Sequence, residues 1–93
     1  MIERKIKVGL QCGLQAQGAT EFVKRASSFS SEINIIKKNR FVAGKSILDV
    51  MCLAVRKGED VILIADGNDE QDAIEDLTNF LCFSGVKIEL KRK

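Results

Sequence analysis

The apolar residues of this chain change period as the sequence advances, from every second position to every third or fourth and back, and this switching restricts the fold more than any single motif does. Ile2, Ile6, Val8 and Leu10 fall on even positions while Glu3, Lys5 and Lys7 take the odd ones, which predicts a first strand over 2–10 with one face buried. After Gly13 the spacing becomes three and four. Ala16, Ala19, Phe22, Val23 and Ala26 then form the apolar stripe of a helix ending near Ser27, with Gln17, Thr20, Glu21 and Lys24 facing outward. Ile33 and Ile35 alternate with Glu32 and Asn34, Lys37-Lys38-Asn39 supplies a turn, and Arg40-Phe41-Val42-Ala43 completes a hairpin. Gly44-Lys45-Ser46 interrupts that pattern, and Leu48, Met51, Cys52 and Val55 recur at helical spacing until Gly58, with Ser46 as the expected N-cap. The run Val61-Ile62-Leu63-Ile64 predicts a central strand within 59–65, followed by a turn at Asp66-Gly67-Asn68-Asp69. Asp69, Glu70 and Asp72 crowd the start of a last helix, where the positive end of the dipole favours them. Ala73, Ile74, Leu77, Phe80 and Leu81 are its buried stripe and Gly85 its cap.

This β-α-β-β-α-β-α order, with strands apolar on one side and helices apolar on one stripe, predicts an α+β open two-layer sandwich. Its four-stranded antiparallel sheet carries three helices on one face. At 93 residues the chain suits one domain, placed at 1–85, with 86–93 as an extension. Within that extension Val86-Lys87-Ile88-Glu89-Leu90 alternates like a strand that could join a sheet edge or pair with another chain, which leaves a homodimer open. Lys91-Arg92-Lys93 is a basic tail without the aromatic residues a nucleic-acid arm would use for stacking.

Composition removes several function classes. Fifteen basic and thirteen acidic residues leave a net charge of +2, too little to create a field for nucleic acid or an anionic membrane. The longest apolar run, Val50 to Val55, is far short of the roughly 20 residues that span a bilayer. Three cysteines, an odd number without CxxC spacing, suit a reducing cytoplasm and give no disulfide framework. With no histidine beside them they also predict no metal site and no cofactor. A domain this small has little core to give up for an enclosed cavity, so function is expected at its surface.

Four separated segments then point one way: Gly13-Leu14-x-Ala16 opening the first helix, Ser31-Glu32-Ile33, Lys45-Ser46-Ile47-Leu48 followed by Val50-Met51, and Gly67-x-Asp69-Glu70 before the last helix. In order and spacing the chain resembles HPr, the phosphocarrier of the bacterial sugar phosphotransferase system, over its full length except the tail. The family's first-helix motif reads GLHARPA, in which the histidine takes phosphate from enzyme I and the arginine holds it. Here those positions and the proline are Gln15, Gln17 and Gly18. A carboxamide offers no nucleophilic nitrogen at neutral pH, and loss of the arginine removes a bidentate phosphate clamp, so phosphohistidine transfer is not expected. Glutamine in the histidine position also occurs in Crh, the HPr-like branch that serves catabolite repression, although Crh keeps the arginine and proline.

The resemblance implies a second site. Ser46 matches the serine that a dedicated ATP-dependent kinase phosphorylates in many of these proteins, and a phosphate at a helix N-terminus is met by free N–H groups and the dipole. It also implies that Ala16, Thr20, Ile47, Leu48 and Met51 form a surface for protein partners, whether the serine kinase, a transcriptional repressor or a phosphotransferase-system component. The family usually has glycine where Asp49 stands, and that carboxylate would repel a phosphate on Ser46 and partly offset the dipole's attraction for it, by about 0.3–1 kcal/mol.

Plainer readings stand beside these. Ser46 could be a neutral cap contributing about 1 kcal/mol, Gln15 and Gln17 could be solvated polar residues, and Leu48 and Met51 fit the core, leaving Ile47 as the outward candidate from pattern alone. Three functions follow. The first is a non-catalytic regulatory module. The second is a phosphocarrier with a non-histidine acceptor, for which Cys12 is the nearby nucleophile. The third is a structural, oligomer-forming domain.

Overall fold

The computed structural model describes residues 1–10 and 13–82. Seven elements follow in order: β1 (Ile2–Lys7), α1 (Gln17–Ser27), β2 (Glu32–Lys37), β3 (Arg40–Ala43), α2 (Ile47–Leu53), β4 (Asp60–Asp66) and α3 (Glu70–Cys82). The strands form one sheet in the order β1-β4-β2-β3 with every neighbouring pair antiparallel, so β4 and β2 are central and β1 and β3 are edges. This is the expected open sandwich. Helices cover only the face to which Ile6, Ile33, Ile35, Val61, Leu63 and Ala65 point, and there they meet Phe22 of α1, Val50 and Leu53 of α2, and Ile74, Leu77 and Leu81 of α3.

The strand forecasts hold, with shorter ends. β1 stops at Lys7 because its partner β4 begins at Asp60 in the paired register, although Val8 and Leu10 remain buried. Val8 still exchanges backbone bonds with the 58–59 loop, its N–H reaching Glu59 O at 2.9 Å and its carbonyl taking the Gly58 N–H at 2.7 Å.

The second helix departs from expectation. It ends at Leu53 rather than running to Gly58, because Ala54 adopts a left-handed conformation (φ 56°) and its N–H closes on Met51 O. Its buried residues are Val50 and Leu53, while Leu48, Met51 and Cys52 face outward. Six of its seven residues are apolar, so helical spacing alone did not fix which side would be buried. The sheet did: Lys37 and Arg40 reach over the C-terminus of α2, with Lys37 Nζ 2.8 Å from Ala54 O and Arg40 Nη1 3.0 Å from Cys52 O.

The forecasts on Cys12, Gly85, the strand 86–90 and the tail 91–93 lie outside the described residues, and so does the boundary at 85–86. Among the described residues no helix is long and apolar enough to cross a membrane, and no group of three or more His, Cys, Asp or Glu could hold a metal ion.

Candidate functional site

The mouth of α1 begins at Gly13, whose positive φ of 63° lets the backbone fold against the segment that leaves α2. A Cβ there would lie 2.2 Å from Val55 O, and the next N–H, that of Leu14, donates to the same carbonyl at 2.9 Å. Leu14 is fully buried, so this loop is clamped from both sides. Gln15, Ala16 and Gln17 then pass over the surface, all exposed.

Ala16 does not join the apolar stripe of α1 as its spacing predicted. It sits at φ 48°, ψ −119°, a region that side-chain-bearing residues avoid, and the helix begins one residue later at Gln17. The reason is a turn closed by the N–H of Gly18 on Gln15 O at 2.9 Å, with Ala16 as its first central residue in a type II′ geometry. A proline at Gly18 could not donate that bond, and a Cβ there would lie 2.2 Å from Gly13 O. Thr20 folds back as well. Its N–H and its hydroxyl both donate to Ala16 O at 3.1 Å. The Gly18 N–H is therefore drawn into the turn, and Gln15 is left as an exposed residue.

α2 packs beside α1. Its N-cap residue Ser46 is half-buried with an extended backbone (φ −106°, ψ 111°), and its carbonyl accepts the first helical bond from Val50 N–H at 3.0 Å. Contrary to expectation, the Ser46 side chain makes no capping hydrogen bond. The hydroxyl is thus not committed to holding the helix. Ile47, Leu48 and Met51 are all exposed, Leu48 at 71%, where spacing had singled out only Ile47. Asp49 is exposed in the first turn, and the ammonium of Lys45 is occupied by Phe29 O at 2.8 Å.

The start of α3 is built differently from both. Its position at the helix start predicts a dipole-stabilising role for Asp69. It instead accepts hydrogen bonds from the N–H groups of Ser30 and Ser31, both at 2.9 Å, and from the Ser31 hydroxyl. The Ser31 hydroxyl and these amides hold its carboxyl down to about 2. Glu70 accepts the Gly67 N–H at 3.0 Å, which likewise lowers its proton affinity. Pattern reading missed the Asp69–Ser31 tether and the two cations over α2. A signal for the latter existed, since Lys37 continues the inward phase of Ile33 and Ile35.

Comparison with known proteins agrees with this arrangement. The family described as "PTS HPr component phosphorylation site" matches residues 2–82. The HPr-like protein Crh of Halalkalibacterium halodurans is 46% identical over 81 residues, covering 87% of this chain and 96% of that protein. Among solved structures, HPr of Thermoanaerobacter tengcongensis superposes with a TM-score of 0.84 at 42% identity, covering 87% of this chain and 91% of the other. Crh of Bacillus subtilis, whose crystal structure is described as a swapped-domain dimer, gives 0.70 at 43% identity over 87% and 93%. The chain belongs to the HPr family of the phosphotransferase system.

Proposed function

We propose that this chain is a regulatory protein-binding module of the phosphotransferase system and carbon catabolite control, without phosphohistidine carrier activity and switched by phosphate on Ser46. The observation that carries this reading is the surface of α2: three apolar side chains exposed beside a serine whose hydroxyl makes no capping bond. A protein face with Ile47, Leu48 and Met51 outward gives a partner an apolar anchor, and a charge added at Ser46 would act directly beside it. The α1 mouth supports the negative half. Gln15 cannot accept a phosphoryl group, and the turn it opens takes up the Gly18 N–H that could otherwise face a phosphate. Ala16 and Thr20 are exposed at the start of α1, which packs beside α2, and would widen the contact, although the Thr20 hydroxyl is engaged internally. The partners are a serine kinase, a transcriptional repressor or a phosphotransferase component, and the setting is the cytoplasm.

The test is a pair of labelling reactions. A kinase of the HPr-serine type with ATP should add one phosphate that is absent from Ser46→Ala. Enzyme I with phosphoenolpyruvate should add none. Label transferred from enzyme I would reject the reading, whichever residue carried it. Leu48→Asp should abolish capture of the partner by the phosphorylated form while leaving the circular dichroism spectrum unchanged, because Leu48 is mostly exposed.

A further inference from the structure

The sheet face turned away from the helices ends, toward the β2–β3 turn, in a cleft of about 500 Å³ that neither α1 nor α2 lines. Its floor follows from strand register: Lys5, Ile62 and Ile36 stand in one row across β1, β4 and β2, and both isoleucines are half-buried. The walls are the turn at Lys38 and the loop that enters β4 at Gly58, where an added Cβ would meet nothing within 4 Å. Charge is distributed unevenly around this apolar strip. Glu59 and Asp60 line the cleft, but each carboxylate is already met, Glu59 by Lys37 Nζ at 2.9 Å and the Arg56 N–H at 2.8 Å, Asp60 by Lys7 Nζ at 3.4 Å. The bonds from Lys37 and Arg56 lower the proton affinity of Glu59, so it stays ionised and matched. Lys5 and Lys38 line the same cleft, both exposed, and neither makes an ion pair or side-chain hydrogen bond among the described residues. Lys38 reaches Glu59 through its field alone. Two strand spacings of ~4.8 Å and two residues of ~3.4 Å place the Cα atoms of Lys5 and Lys38 about 12 Å apart, with Ile62 and Ile36 between them.

We infer that this cleft binds a small, elongated dianion, with an acid group at each end and an apolar body between them. Lys5 meets one acid group and Lys38 the other, while the hydrocarbon between them covers Ile62 and Ile36. Lysine stems are long and flexible, so the two ammonium groups can close on a guest somewhat shorter than the separation of their Cα atoms. A molecule with one acid group leaves one ammonium unmatched. A short diacid cannot reach both cations, and it covers less of the apolar floor. Because both ion pairs are exposed to water, each contributes little alone. Selectivity comes from meeting both at once across an apolar contact, which neither a neutral hydrocarbon nor a free inorganic anion does. The site is independent of Ser46 and of the α1 turn.

An NMR titration of the full chain with octanedioate at low salt tests it. Saturating shifts should appear at Ile36, Ile62, Lys38 and Gly58 and be absent at Gln15 and Ser46, with a dissociation constant of about 0.1–1 mM, as the small size of the ligand implies. Octanoate and butanedioate should each bind about three- to fivefold more weakly. Lys5→Gln and Lys38→Gln should each weaken octanedioate about two- to fivefold and bring it level with octanoate, whereas Lys24→Gln on α1 should leave it unchanged. Both cleft lysines are exposed, so the variants should keep the parent's circular dichroism spectrum and urea midpoint. No saturable shift below about 10 mM octanedioate overturns the inference. Equal affinity for octanoate overturns it too, since the cleft would then be a hydrocarbon groove with one cation. So do shifts spread evenly over exposed lysines elsewhere, which would mean general ion pairing, and cleft variants that bind like the parent.

Discussion

α1 and α2 pack against each other in one helix layer, yet their starts treat exposed polar groups in opposite ways. At α1 the chain satisfies itself: Gly18 N–H closes on Gln15 O, Thr20 folds onto Ala16 O, and Gly13 presses the loop against Val55. At α2 the Ser46 hydroxyl makes no cap, and apolar side chains stand outward around it. Under the proposed function, the difference teaches that one site can be rebuilt as structure while another keeps a form that a modifying enzyme and a partner could use. The turn takes up the Gly18 N–H, one of the donors that a helix start otherwise leaves without an intrahelical partner.

Breaking the α1 clamp should have the largest effect. Gly13→Ala forces a methyl to within 2.2 Å of Val55 O at a positive φ of 63°. It should lower unfolding free energy by on the order of 2–4 kcal/mol in urea titrations. Gly18→Pro, which restores the family's residue, should destabilise by about 1–3 kcal/mol through loss of the bond to Gln15 and the approach to Gly13 O. A neutral or stabilising result would show that the turn is not what holds this helix mouth.

The α2 start should respond far less. Ser46→Ala should change stability by under about 0.5 kcal/mol, against about 1 kcal/mol for a serine that caps its helix. The same denaturation curves measure it, and a full-sized loss would mean that the hydroxyl is committed after all. The third helix start is read through pH. Asp69 has a folded-state value near 2 against an ordinary 3.8, so its stabilisation is complete above the ordinary value and lost as pH falls through the folded one. Unfolding followed from pH 5 to pH 2 should show a decline below about pH 4 that Asp69→Asn flattens. An unchanged acid limb in that variant would assign the decline to other carboxylates.

Much of this was legible before any coordinates. Alternation over 2–10 put Ile6, Val8 and Leu10 inside, and the run 61–64 marked the strand that became central, because a strand's period of two leaves no choice of face once one side is apolar. The candidate site was legible only in part. Gln15, Gln17 and Gly18 stood out as departures from a motif. Their replacement turn could not be read, because it depends on a glycine's N–H reaching back across three residues while another glycine meets a carbonyl from a distant segment.

The sequence by itself determined the element order, the strand faces and the absence of an imidazole, since each follows from local periodicity or from residue chemistry alone. Only tertiary structure decided which side of α2 is exposed and that the Ser46 hydroxyl makes no cap. It alone also bound Asp69 to the Ser30–Ser31 backbone. A helix that is apolar nearly all round has no preferred side until a sheet and two cations fix its orientation. A carboxylate's partner is whichever donor the fold brings within reach, however far away in the chain.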